Sequence, residues 1–142
     1  MLKVLLDTNI LLSGLFFKGN ERLLLLTLLE GKIKGIIPED VYEEWERIIS
    51  KRFRNTKDMD RVIELAYAIF FKCKIIPRKM YGDKIEEAKK IINDVKDVPV
   101  LACAMTTDPD YLVTGDDDFH KIRTRLRFRI VRTKELLKII EE

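Results

Sequence analysis

Three aspartates in a row, Asp116, Asp117 and Asp118, follow the short apolar stretch Tyr111 to Val113 and the glycine Gly115. Two carboxylates ~4 Å apart repel by about 4 kcal/mol at an effective dielectric near 20, and close like charges push one pKa upward. Such a cluster needs compensation. One source is the amino end of a following helix, whose free N–H groups welcome a carboxylate. Another is a divalent cation held at the carboxyl end of a sheet strand, where open α/β sheets place their ligands. The second requires more acids from elsewhere in the chain. Asp7 ends the apolar run KVLLD, with Thr8 and Asn9 able to bond the turn that follows. Glu44 lies at the edge of the apolar stripe Val41, Trp45, Ile48, Ile49, whereas Glu43 and Glu46 point further out. Asp97 precedes Pro99 and the small residues Ala102, Cys103 and Ala104, at the amino end of a helix able to pack closely; Asp94, one turn earlier, competes with it. Taken singly, Asp7 reads equally well as a helix cap and Glu44 as a surface glutamate, while Asp97 reads better as a cap. Together they place four acids at element ends or rims.

The elements that must position them are short and alternate in type. Lys3 to Asp7, Gly35 to Ile37, Cys73 to Ile76, Tyr111 to Thr114 and Arg127 to Val131 read as buried strands. Between them lie helical patterns. One runs from Asn20 to Glu30 and stops at Gly31, one follows Pro38 to about Phe53, and one opens at Asn55 or Thr56 with Asp58 and Asp60 in its first turn. Asp83 and Glu86 suggest a capping box for the helix carrying IEEAKKII. This alternation predicts a three-layer α/β/α sandwich around a central, mainly parallel sheet of four to five strands. Asp7 meets the Asp116 cluster only if strands one and four are neighbours.

Composition fits that architecture. The 142 residues are 46% hydrophobic and 36% charged, enough for one core, and no repeat or linker divides residues 1–142. The longest apolar run, Leu23 to Leu29, is too short for a bilayer, and the first residues lack signal-peptide architecture, which points to a cytoplasmic protein. Cys73 and Cys103 sit in apolar stretches and read as reduced core residues. The net charge is +3, but Lys51 to Lys57 and His120 to Lys134 are strongly basic. Arg123, Arg125, Arg127 and Arg129 alternate with Thr124, Leu126 and Phe128, so where the chain is extended the arginines share a face. They either track nucleic-acid phosphates or guard an edge strand with charge. An absence of Gln with abundant Lys, Glu and Ile matches proteins of hot environments and AT-rich genomes alike.

The ordered set of DTN at Asp7 to Asn9, Glu44 after the second strand, DVPVLACA from Asp97, and LVTGDDDF from Leu112 to Phe119 resembles the PIN-domain nucleases. The resemblance implies that Asp7, Glu44, Asp97 and Asp116 are catalytic acids. It further implies that Asp7, Asp97, Asp116 and Asp118 hold Mg²⁺ or Mn²⁺, and that Asn9 and Thr114 orient them. Asp117 has no counterpart and is expected to be solvated. Hard cations prefer carboxylate oxygen and make bound water a nucleophile near neutral pH; the lone histidine, His120, beside a basic run, is expected to meet solvent or phosphate. Small members of the family include VapC-like toxins, which cut RNA, dimerise and are held by an antitoxin, while others process RNA; at this length the chain resembles the toxin type more, which implies an RNA substrate, a homodimer and an antitoxin partner. A non-catalytic PIN-like binding module is the remaining alternative. A dehalogenase-type phosphatase would need an aspartate at Asn9, a receiver domain an acidic pair at strand one, and a dinucleotide fold a glycine-rich first turn.

Overall fold

The computed structural model describes residues 1–52 and 59–142. Most of the basic run Lys51 to Lys57, and the helix start expected at Asn55 or Thr56 with Asp58, lie outside the described residues. Strands β1 (Lys3–Leu6), β2 (Lys34–Pro38), β3 (Lys74–Ile76), β4 (Tyr111–Val113) and β5 (Arg129–Val131) form one sheet in the order β3-β2-β1-β4-β5. Every pairing is parallel. Full burial of Val4, Leu5, Leu6, Leu112 and Val113 explains why the central strands carry continuous apolar runs rather than alternation. The first strand lies at the centre beside β4, as a shared site requires.

Helices cover both faces. On one, α1 (Thr8–Phe16), α2 (Asn20–Leu29), α4 (Met59–Lys72) and α9 (Thr133–Glu141) pack together; on the other lie α5 (Arg78–Tyr81), α6 (Ile85–Ile91) and α7 (Val98–Thr107). Helix α3 (Glu39–Arg52) touches both α1 and α7, and the short α8 (Asp117–His120) follows β4. The result is the α/β/α sandwich with five strands. Gly31, at φ 79°, ends the turn after α2 in the left-handed region where glycine is at ease. On α3, Val41, Trp45 and Ile49 are buried, as their spacing requires.

Two local expectations are corrected. No capping box forms at Asp83 and Glu86: a 3₁₀ turn over Gly82–Lys84 leads directly into α6, whose start has no side-chain cap. The last strand begins at Arg129 rather than Arg127, because β4 starts at Tyr111, the register partner of Arg129, and offers earlier residues nothing to pair with. The in-out alternation nevertheless holds upstream, with Phe128 buried and Arg125, Arg127 and Arg129 exposed.

Candidate active site

Leu6 and Val113 are partners in the β1–β4 register, so the next residues, Asp7 and Thr114, emerge side by side at the carboxyl ends of the two central strands. The Thr114 hydroxyl, fully buried, donates to Asp7 Oδ2 and accepts from the Asp116 N–H at 3.1 Å. One hydroxyl thus ties both strand ends together. Asp7 also caps α1, its Oδ1 accepting from Ile10 N–H at 3.0 Å. Burial raises the Asp7 pKa, opposed by the bonds from Thr114 and Ile10 and reinforced by the charges of Asp116 and Glu44.

Asp116 caps α8, its Oδ1 accepting from Asp118 N–H at 2.9 Å. Its turn is held from outside by Arg132, which donates to the Gly115 carbonyl at 2.9 Å and to Asp117 Oδ1 at 2.6 Å. His120 Nε2–H supports the same turn from within, donating to the Thr114 carbonyl at 2.8 Å. Asp117 is 77% exposed and, through its bond with Arg132, keeps a lowered pKa; it lies outside the acidic cleft. Glu44 reaches the cleft from α3 and accepts from the Thr8 hydroxyl at 3.1 Å.

Asp97 opens α7 but makes no capping hydrogen bond, and its Oδ2 is buried with no partner among the described residues. Burial first, then a shared hydrogen bond with Asp116 and the charges of Asp116, Asp94 and Asp118, push its pKa up to about 8. Asp94 joins it through a tight turn: the Asp94 carbonyl accepts from Asp97 N–H at 3.0 Å and Asp94 Oδ1 accepts from Lys96 N–H at 3.0 Å. Carboxylate oxygens of Asp94, Asp97, Asp116 and Asp118 all lie within 4.8 Å of one another. Asp7, Asn9, Glu44, Asp94, Asp97 and Asp116 line a single cleft of ≈ 130 Å³.

The arrangement fits a hard divalent cation. Unionised, Asp97 avoids the clustered charge, and ionised it offers an oxygen that nothing in the described chain satisfies. The structure therefore brings together the expected Asp7, Glu44, Asp97 and Asp116, with Asp118 and Asn9 beside them and Thr114 beneath. It adds Asp94 at full weight, where the sequence offered it only as a rival to Asp97. Arg132 was missed; its signal was a cation directly after the last strand. Of the arginine run, Arg129 opens β5 at the amino end of the sheet, 3.5 Å from Glu135 and stacked over the Tyr111 ring, and Arg127 lies 3.5 Å from Asp108.

The α/β/α sandwich is that of a PIN-like fold, and a PIN domain family model matches residues 3–118. The chain belongs to the PIN-domain family. No curated protein matches it. Among solved structures, a chain of the crystal structure of VapBC2 from Rickettsia felis bound to a DNA fragment from their promoter is similar at 19% identity and a TM-score of 0.65. The alignment covers 92% of this chain and 98% of that one.

Proposed function

We propose that this PIN domain is a Mg²⁺- or Mn²⁺-dependent endoribonuclease, the VapC-like toxin of a toxin-antitoxin pair. The observation that carries the nuclease reading is the buried Asp97 oxygen, without a partner among the described residues, in a cleft lined by five acids. Fold similarity to the VapBC2 structure supports the toxin reading and an antitoxin as partner. Residues 1–142 act in this reading as one nuclease domain in the cytoplasm. No helix among the described residues is long and apolar enough to cross a membrane. Tyr67 and Phe71, exposed one turn apart on α4, support a homodimer.

Asp7, Asp97, Asp116 and Asp118 would hold the cation, with Asp94 alongside. When bound, it lowers the pKa of a coordinated water and neutralises charge growing on the scissile phosphate. Asp97 gives up its proton on binding. Glu44, fixed by Thr8, orients the attacking water at the rim. Water adds to phosphorus and gives up a proton to solvent, one ester P–O bond breaks, and the departing oxygen takes up a proton from solvent. Asn9 positions the groups around the acids, and Thr114 keeps Asp7 and Asp116 in mutual register.

The test incubates end-labelled RNA with wild type and with Asp116→Asn, in Mn²⁺, Mg²⁺ and EDTA, after both are shown to be folded. Wild type is expected to cut with either metal and not in EDTA. The variant should lose a few kcal/mol of transition-state stabilisation, about a hundredfold or more in rate. Equal cutting by both proteins would mark a contaminant. No cutting, with no heat of Mn²⁺ binding, would leave a non-catalytic PIN module.

A further inference from the structure

Beside the acidic cleft, and sharing Glu44 and Lys96 with it, runs a second groove of ≈ 440 Å³ between α3 and the turn from Asp94 to Val98. Its α3 wall is a single helical stripe: Glu44, Arg47, Ile48 and Lys51 recur at the i, i+3, i+4, i+7 spacing. The stripe therefore starts at an active-site acid and leads outward to two cations. At 1.5 Å rise per residue, Arg47 lies ~4.5 Å and Lys51 ~10 Å beyond Glu44 along the axis. Lys96 stands opposite, between the cleft and the groove, and Val95 on the same turn is 82% exposed.

These three cations differ from Arg127 and Arg129. Among the described residues no ion pair engages Arg47, Lys51 or Lys96, whereas Arg127 and Arg129 each face a carboxylate at 3.5 Å. Asp40, the other acid of the groove, is occupied by Arg78 at 3.0 Å and by the Tyr81 hydroxyl. Glu43, on the neighbouring face of α3, is taken by Arg78 at 2.7 Å. Among the described residues the groove is thus a track of cations without ion pairs, ending at a pocket of negative charge. A polyanion gains along that track, and its local repulsion at the acids is what a bound cation relieves.

Resting on the ribonuclease reading, we propose that the substrate strand enters along this groove, with Arg47, Lys51 and Lys96 holding phosphates of single-stranded RNA on one side of the cut. The step from Arg47 to Lys51 is ~6 Å along the helix, the scale of one nucleotide in an extended strand. Ile48, Val95 and Pro99 add apolar surface to the groove for ribose and base to touch without base edges being read. Arg127 and Arg129 are not among the residues that line this groove.

The experiment measures steady-state cleavage of a fluorescein-labelled single-stranded RNA in Mn²⁺ across a salt series. It compares wild type, a groove variant (Arg47→Gln, Lys51→Gln, Lys96→Gln), and a charge-matched control (Lys72→Gln, Lys134→Gln, Lys138→Gln). A fourth protein carries Arg127→Gln and Arg129→Gln. All four are first matched by circular dichroism and melting temperature. The groove variant is expected to raise KM about tenfold or more at low salt with little change in kcat. The salt slope of log(kcat/KM) should flatten by about 2, near 0.7 for each phosphate that the side chains no longer neutralise. The control should keep the wild-type slope. If the groove variant keeps the wild-type KM and slope while wild type cuts RNA, the proposal fails and the nuclease reading stands. A KM shift in the Arg127/Arg129 variant alone would move the path to the arginine run. If wild type itself does not cut, the nuclease reading falls first and the groove assignment with it.

Discussion

Asp97 shows what four neighbouring carboxyls do to one of their number. Its folded pKa, raised to about 8 from an ordinary 3.8, means the native protein binds a proton that the unfolded chain has already released. The sign follows directly: this contribution to stability is complete below 3.8 and is lost as pH climbs through about 8. Burial of Asp7 acts in the same direction, while Asp117, held down by Arg132, acts oppositely and only at acid pH. In EDTA, the melting temperature of wild type should therefore fall across the neutral range, and Asp97→Asn should flatten that fall. Parallel pH profiles for the two proteins would remove Asp97 as the cause. The residues that made this site were partly legible from sequence. Asp7 and Asp116 stood out because each ends an apolar strand. Asp94 did not, because its place depends on a tight turn rather than on helical spacing. The Arg132 bond to Asp117 crosses from the end of one strand to the turn after another, which no local pattern encodes.

Strands and helices were the more readable scale. Short apolar runs such as KVLL and YLV, buried at Val4 to Leu6 and at Leu112 and Val113, read as strands because they have strand length and are bounded by turn residues. Arg127 and Phe128 looked like strand because the side-chain alternation is real, although backbone pairing starts only at Arg129. The capping box failed because Asp83 entered a 3₁₀ turn instead of standing at the helix start. Close packing between elements is equally specific. A Cβ on Gly35 of β2 would meet Cys73 Sγ and Leu28 Cδ1, each at 2.5 Å. Gly35→Ala is expected to overpack the junction among β2, α2 and the residue before β3, at a cost of about 1–3 kcal/mol. A lower urea midpoint with an unchanged slope would register it, and an unchanged midpoint would show that the neighbours yield without cost.

For the molecule as a whole, a cation bound at the proposed site would be linked to the fold. The acids that would hold metal come from the ends of β1 and β4, the turn before α7 and the start of α8, so binding favours the state in which all four are assembled. Mn²⁺ at a hundred times its dissociation constant should add about 2.7 kcal/mol of stability. Scanning calorimetry should show the wild-type melting temperature rising with Mn²⁺ and returning with EDTA, and Asp116→Asn should lose most of that rise. Equal shifts in both proteins would place the binding elsewhere. The pairing of β1 with β4 carries one more consequence, for synthesis. Thr114 and Asp7 meet across 107 positions of sequence, and pairings so distant form late and slowly. A ribosome adding about 5–20 residues per second releases Asp7 well before its partner exists. A nascent chain that stalls before Tyr111 carries half a cleft and no route to the other half, so the acids can meet only once β4 has been made.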